Sequence, residues 1–304
     1  MNENTKTLLK SPAFTAPALM IFIFAVMQIS GYAIKNLSAE TNVYAAIGVI
    51  QLIVIGLPCL IYYLAKGKKF DSEMYIVSKK GVKILFLIFA AMLFISGMLL
   101  IKFVYFVRGG TVASLVNFYD AFEGDAEAAN NFEKIVSLII IPAVCEEFLF
   151  RGILFSEYRR YGTGNTIIIT SLCFAMMHFS VENFFIYLFT GILLGFVTAV
   201  SRSIIPATVL HLMSNALSIY ASDRFLRVTV VKNGTYFIGF VLIVLTGVSL
   251  MLMLSRVENI CYDYSDDPPT ETLPPKSAEH WAKVFLSPTF LLLLVGFLCF
   301  IFLM

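Results

Sequence analysis

The chain has 304 residues, of which 59% are hydrophobic and only 14% are Asp, Glu, Lys or Arg, and its mean hydropathy is +0.85. Soluble domains usually carry a charged fraction of about a quarter, so this composition indicates a polytopic membrane protein rather than a soluble domain. The formal net charge of +2 gives no indication of a nucleic-acid partner. The five cysteines are scattered without a CxxC pair, so neither a disulfide framework nor a thiolate metal site is indicated.

Nine apolar stretches are candidates for membrane-crossing helices, which need roughly 20 mostly apolar residues each. They lie near residues 14–34, 43–65, 83–107, 132–156, 166–180, 183–200, 204–221, 235–255 and 285–303. The fifth to seventh stretches are short and closely spaced, as expected of half-helices that line a cavity. The ninth follows the Pro-rich segment DYSDDPPTETLPPKSAEH, which we interpret as an exposed linker. The sequence therefore predicts an all-α, polytopic transmembrane helical bundle of about eight to nine spans.

The distribution of basic residues predicts a cytoplasmic N-terminus. Lysines crowd the second loop (66–83), and alternation of the spans places Arg159, Arg160 and Arg202 on the same side as that loop. The loop over 117–133 is acidic and falls on the opposite side. Since Lys and Arg favour the cytoplasmic side of a membrane, the lysine-rich loop is assigned there. The loop over 222–234, with two Arg and one Lys, is the exception.

The stretch CEEFLFRGILF (145–155) places three ionisable groups among apolar residues of the fourth span. Glu147 and Arg151 are four residues apart and share a helix face, so they can form an ion pair. Glu146 is rotated by about 100° from Glu147 and has no cationic partner on its own helix. Such a carboxylate is a candidate general base or acid. The alternative is a structural network of all three groups.

Three further polar side chains fall within the next spans: His178 in FAMMHF, and His211 with Asn215 in HLMSN. His211 and Asn215 are four residues apart and project from one helix face. Counted along the spans at ~1.5 Å per residue, Glu146, His178 and His211 reach a similar depth, which favours one site over three separate interhelical hydrogen bonds. Glu182 and Asn183 flank a turn, where we expect them to be solvated.

These motifs together resemble the CPBP family of intramembrane proteases. EEFLFR matches the family pattern EExxxR, FAMMH matches FxxxH, and HLMSN matches HxxxN, in this order on successive spans. The family includes the type II CAAX prenyl endopeptidases and the bacterial Abi proteins linked to bacteriocin processing or self-immunity. The resemblance covers roughly residues 130–220. It implies an N-terminal part with spans and loops (1–130), a catalytic core (131–221) and C-terminal spans with a cytoplasmic linker (222–304).

The resemblance also implies roles for the polar residues. Glu146 would activate a water for attack on a peptide bond, His178 would orient that water, and His211 and Asn215 would stabilise the oxyanion. Glu147 and Arg151 would support the site. Metal-independent chemistry is expected, with a polar chamber that opens toward the cytoplasmic side. If zinc is used instead, Glu146, His178 and His211 are the ligands that the sequence offers.

The expected substrate is a membrane-anchored peptide or protein, and the expected location is the lipid bilayer of a bacterial cell membrane. A non-catalytic membrane regulator or immunity protein on the same scaffold is the main alternative. A proton-coupled transporter is a third possibility, since buried Glu and His also form proton relays. Transporters of this kind contain repeated halves, and the sequence shows no internal repeat.

Overall fold

The computed structural model describes residues 11–35, 42–67, 74–78, 83–108, 131–220, 234–263 and 277–303. Within these ranges the regular structure is entirely helical. The helices are α1 (Pro12–Lys35), α2 (Val43–Lys66), α3 (Ile84–Val107), α4 (131–158), α5 (Thr163–Met177), α6 (Phe184–Ser201), α7 (Ile204–Tyr220), α8 (Thr235–Asp263), α9 (Ser277–Phe285) and α10 (Pro288–Leu303).

Each of the nine predicted spans coincides with one of these helices, which confirms the prediction of an all-α polytopic bundle. By length and composition, α1, α2, α3, α6 and α8 can each cross a membrane. Three shorter apolar helices, α5, α7 and α10, accompany them. The remaining predicted span is α4, which carries the charged motif.

Two predicted helix ends were wrong. The eighth span was expected to end near residue 255, but α8 continues to Asp263. The fifth span was expected over 166–180, but α5 ends at Met177, so His178 caps the helix instead of lying inside it. The last four residues of the predicted linker, 277–280, begin the amphipathic helix α9, which packs against α1 and α10; the predicted exposure of the linker stays a prediction. Residues 264–276 of the linker lie outside the described part of the chain.

The bundle contains two large apolar clusters. One joins buried residues of α1, α2, α4, α5 and α10, and the other joins α3, α6, α7 and α8. Helices α2 and α4 approach closely, because a Cβ atom on Gly48 would come within 2.7 Å of the Ser137 Oγ atom. Helix α4 is interrupted by two π-helical segments, Val136–Ile140 and Phe148–Leu154. Such segments shift the backbone hydrogen-bond register and are frequent at functional sites.

The basic connections meet at one end of the bundle. The amide of Ile204 donates to the carbonyl of Tyr75 at 2.7 Å, and the Arg159 guanidinium lies 4.5 Å from the Tyr75 ring centroid. Lys66 and Glu157 form an ion pair at 2.5 Å at the same end. The connections after α2, α4 and α6 therefore share a side, as the alternation of spans predicts. We call this side the basic end.

Candidate active site

Glu147 and Arg151 form the ion pair that their spacing predicts. Arg151 Nη1 donates to Glu147 Oε1 at 2.7 Å, and neither side chain is exposed. Arg151 Nη2 also donates to the carbonyl of Gly191 on α6 at 3.0 Å. Helices α5 and α6 approach closely at Gly191, because a Cβ atom on Gly191 would come within 2.9 Å of the Ser171 Cα atom. The pair thus joins α4 to α6.

The adjacent carboxylate, Glu146, faces a different environment, as helix geometry predicts. It lines a cavity of about 460 Å³ between the helices, whereas Glu147 does not. Glu146 is only 8% exposed, and its Oε2 atom is buried without a hydrogen-bond partner among the described residues. An unpaired polar atom in the interior costs free energy. Glu147 Oε2 and Arg151 Nε are also buried without a partner among the described residues, so Glu146 differs from its neighbour by facing the cavity.

His178 is fixed from two sides. Its Nδ1 atom lies 2.8 Å from the carbonyl oxygen of Phe174, one helical turn earlier. Its ring stacks on Tyr187 of α6, with ring centroids 3.7 Å apart and planes inclined by 20°. Because a carbonyl can only accept, Nδ1 carries the proton and the neutral ring presents Nε2 as an acceptor. That Nε2 atom lies 3.9 Å from Glu146 Oε2.

His211 is fixed in the same manner by a carboxylate. Its Nδ1 atom lies 2.7 Å from Glu147 Oε1, so Glu147 binds both Arg151 and His211. An ionised carboxylate only accepts, so Nδ1 donates here too, and Nε2 is turned toward Glu146 Oε2 at 3.7 Å. No sequence pattern indicates the bond between Glu147 and His211, because the two residues are 64 positions apart and on different spans.

Asn215 lines the same cavity one turn beyond His211. Its Nδ2 atom donates to the carbonyl of Ile139 at 3.4 Å, within the first π-helical segment of α4. This bond is long compared with the usual 2.9–3.0 Å, so the carboxamide is only loosely held. All four residues predicted to be catalytic, Glu146, His178, His211 and Asn215, therefore border one cavity.

Two residues that sequence reasoning assigned no role also belong to this site. Tyr187 stacks on His178, as described above. Phe174 accepts the His178 bond with its carbonyl, and its ring lies 4.9 Å from the Arg151 guanidinium and 5.6 Å from the His211 ring. Phe174 is the first residue of the FAMMH motif, and its position four residues before His178 could have indicated that the two residues lie on the same helix face. Nothing in the sequence pointed to Tyr187.

Phe179, directly after His178, has a left-handed backbone with φ of +47°. This conformation costs roughly 1–2 kcal/mol for a residue other than glycine. It occurs at the position after a helix C-cap, where glycine is the usual residue. The Phe179 ring lies 4.9 Å from the Phe24 ring of α1 and 4.5 Å from the Phe300 ring of α10. Strained residues of this kind concentrate at functional sites.

The prediction that Asn183 is solvated was wrong. Asn183 is buried, precedes α6 and lines the cavity, whereas Glu182 beside it is exposed. The backbone N–H of Asn183 donates to Ser180 Oγ at 3.2 Å, and this bond stabilises the turn between α5 and α6. Ser180 and Asn183 of this turn line the cavity, whereas Val181 and Glu182 between them are exposed. The spacing of polar residues in the sequence does not show which of them are buried.

The cavity extends from Glu146 away from the basic end. Its lining residues continue to Ser180 and Asn183 in the turn after α5, and to Ser218 and Ile219 near the end of α7. If the N-terminus is cytoplasmic, the basic end is cytoplasmic and the cavity leads to the other side of the membrane. The extent of the cavity thus does not favour a cytoplasmic opening, and both the N-terminal location and the direction of the opening stay predictions. Counting residues along spans gave the depth of the site but not the direction of its opening.

Two observations bear on the zinc alternative. Among the described residues, no group of three or more His, Cys, Asp or Glu side chains is arranged to hold a metal ion. The donor types of Glu146, His178 and His211 are those of a zinc shell, but Glu146 Oε2 is 3.7–3.9 Å from the two Nε2 atoms. Ligands bound at about 2.0–2.2 Å in a tetrahedral shell lie about 3.3–3.6 Å apart, so these three atoms would have to approach one another by only a few tenths of an ångström to bind zinc. Metal-independent chemistry stays a prediction.

Comparison with known proteins gives one family. The family model described as type II CAAX prenyl endopeptidase Rce1-like matches residues 129–217, a segment that runs from the start of α4 almost to the end of α7. All six predicted site residues fall within it. No curated protein and no solved structure matches the chain.

Proposed function

Because residues 129–217 match the family model of the type II CAAX prenyl endopeptidases, Rce1-like, we propose that this integral membrane protein is an endopeptidase that uses Glu146 to activate water. The substrate is a membrane-associated peptide or protein, cleaved in the cavity between α4, α5, α6 and α7. The observation that carries this proposal is the convergence of Glu146 Oε2 with the Nε2 atoms of His178 and His211, at 3.9 Å and 3.7 Å.

These three atoms are all hydrogen-bond acceptors when the imidazoles are neutral, because both Nδ1 atoms carry their protons elsewhere. Three buried acceptors that face one another need a donor between them. The separations exceed the range of a direct hydrogen bond. A water with two hydrogen bonds of about 2.8 Å spans about 4.4 Å, so the three side chains need to open by about half an ångström to admit one. A water there would donate to Glu146 and to one imidazole, with its oxygen lone pair free to attack a carbonyl carbon.

Glu146 then acts as the general base. It accepts the proton of the attacking water and later delivers it to the amine that leaves when the peptide bond breaks. General base catalysis typically contributes 10²–10⁴-fold to a rate. Glu146 suits this role because it has no cation bonded to it, whereas Glu147 is already bonded to Arg151 and His211.

The oxyanion of the tetrahedral intermediate requires donors on the other side of the carbonyl. Asn215 provides a carboxamide that is held only by the long contact to Ile139. His211 serves as a second donor when its Nε2 has taken up a proton from solvent before the attack, since its Nδ1–H stays on Glu147 and the carboxylate stabilises the imidazolium; His178 Nε2 is then the imidazole that accepts from the water, and His211 returns its proton to solvent after the product leaves. Such donors contribute a few kcal/mol of barrier reduction each.

The cavity walls favour an apolar substrate segment. Met27, Met98, Met177, Ile186 and Ile219 line the cavity together with the polar residues named above. A volume of about 460 Å³ falls within the usual range for ligand sites and accommodates a few residues of an extended peptide. Methionine-rich walls adapt to side chains of different shape. A peptide tail held at the membrane by a lipid or an apolar anchor fits this description.

Cleavage can be tested without a known substrate, by treating all proteins of the membranes in which the chain is expressed as candidate substrates. Membranes containing the wild-type chain or Glu146→Gln are incubated, and new peptide termini are compared by mass spectrometry. A second assay uses purified protein in liposomes with a fluorescence-quenched farnesylated CAAX peptide and the same peptide without lipid. We expect termini that depend on Glu146, and a loss of turnover of at least about 10²-fold in Glu146→Gln.

The matched control is Glu182→Gln, which removes an exposed carboxylate near the same cavity. It should retain wild-type turnover. If the wild-type chain generates no termini beyond those of Glu146→Gln, while both proteins are folded, the protease proposal fails. In that case a phenotype retained by Glu146→Gln in cells would favour the regulator or immunity protein.

A further inference from the structure

The C-terminal helix α10 lies outside the segment that matches the family, yet it reaches the candidate active site. It packs along α1, and Phe297 and Phe300 both contact Phe179. The ring centroids of Phe179 and Phe300 are 4.5 Å apart, and those of Phe179 and Phe297 are 6.2 Å apart. Phe24 of α1 completes the aromatic cluster at 4.9 Å.

The backbone at Phe179 decides where the chain goes after His178. The Phe179 amide still donates to the Met176 carbonyl at 3.1 Å, and the left-handed φ of +47° then ends α5. A phenylalanine does not adopt this conformation on its own, because its Cβ atom crowds the backbone. The contacts of its ring must therefore hold it there.

We propose that Phe300, supported by Phe297, is a positioning residue for catalysis. It holds Phe179 in the left-handed conformation and thereby keeps the His178 ring stacked on Tyr187, with Nε2 directed at Glu146. This proposal rests on the proposed function, since it assigns His178 to the reaction. It gives the C-terminal extension a role that neither the sequence nor the family match assigns to it.

The first test is a double-mutant cycle on turnover by the full chain in nanodiscs, with the farnesylated CAAX peptide or a substrate found by mass spectrometry. Phe300→Ala should lower kcat about tenfold, equivalent to about 1.4 kcal/mol, with KM changed less than about twofold. Glycine adopts a positive φ without cost. In a Phe179→Gly background, Phe300→Ala should therefore lower kcat by less than about twofold.

An equal loss of kcat in both backgrounds would overturn the proposal, because α10 would then act only through general packing. The matched control is Leu298→Ala on the same helix, whose side chain is 42% exposed. It should leave kcat and KM unchanged. If Phe300→Ala does not fold, Phe300→Leu is carried through the same cycle, since it removes the ring but keeps an apolar side chain.

The second test does not depend on turnover. The chain contains only three histidines, so histidine-labelled protein gives a simple NMR spectrum that His→Gln variants can assign. Phe300→Ala should shift the ring resonances of His178, which loses its stacking geometry, and leave those of His211 in place. The shift should disappear in the Phe179→Gly background.

The two tests separate the two proposals. An inactive wild-type chain whose His178 resonances respond as expected would refute the protease function but support the structural coupling between α10 and His178. An active chain whose His178 resonances ignore Phe300→Ala would refute the coupling and leave the protease function intact.

Discussion

The two adjacent glutamates should respond in opposite ways to the same change, Glu→Gln. Glu147→Gln leaves the buried Arg151 without its carboxylate partner, bonded to the Gly191 carbonyl, and weakens the bond to His211. Breaking a buried ion pair by removing one partner costs about 3–5 kcal/mol. Glu146 has no such bond to lose among the described residues, because its Oε2 atom lies 3.7 Å and 3.9 Å from the two imidazoles, beyond the range of a hydrogen bond. The stability of Glu146→Gln should therefore change by less than about 1 kcal/mol.

Turnover should show the opposite order of effects, with the larger loss in Glu146→Gln. Glu146→Gln removes the proton acceptor and should lower kcat by about 10²–10⁴-fold in a fully folded protein. Glu147→Gln should lose stability first, and the fraction that folds should retain measurable turnover. The assay pairs kcat with reversible unfolding in mixed micelles, monitored by circular dichroism, and uses Glu182→Gln as the control. Wild-type stability of Glu147→Gln, together with wild-type turnover of Glu146→Gln, would refute the division of roles.

Three other outcomes follow from the same geometry. Tyr187→Ala should lower kcat about tenfold and more than Tyr187→Phe does, because the phenylalanine ring keeps the stack on His178; steady-state kinetics of the two variants measure this. Chelator treatment of active protein, followed by metal analysis, should leave turnover unchanged if the chemistry is metal-independent, and a loss that zinc restores would contradict it. In a cysteine-free background, cells expressing Glu182→Cys should react with an impermeant maleimide and cells expressing Arg202→Cys should not, if the basic end is cytoplasmic; the opposite pattern would reverse the orientation.

Much of the fold follows from hydropathy, because a membrane requires long apolar helices with internally satisfied backbones. That constraint located α1 to α8 to within a few residues at most ends, except for the longer C-terminal end of α8. It failed at the end of α5, where Phe179 takes a left-handed conformation that no sequence rule assigns to phenylalanine. The helix α9 was also missed, because its polar and short sequence carries none of the apolar pattern that marks a span.

The candidate site was predictable where it depends on spacing within one helix, as for Glu147 with Arg151 and His211 with Asn215. Contacts between helices were not predictable, because they depend on packing angles and on the π-helical segments of α4. The bond from His211 to Glu147 and the stack of Tyr187 on His178 are of this kind. Sequence reasoning thus named the groups of the site, and the packing supplied the tautomers that make the two Nε2 atoms acceptors.

The arrangement explains why a membrane helix carries two consecutive carboxylates. A buried carboxylate without a partner is costly, yet a general base must be free to accept a proton. Glu147 bonds to His211 on α7 and to Arg151, which in turn bonds to Gly191 on α6. These bonds connect α4 to α6 and α7 and so hold the neighbouring Glu146 at the cavity wall without bonding to it. A single glutamate bonded to the arginine would stabilise the bundle but would be a poor proton acceptor. In the proposed mechanism, Glu146 is therefore the free base and Glu147 positions it.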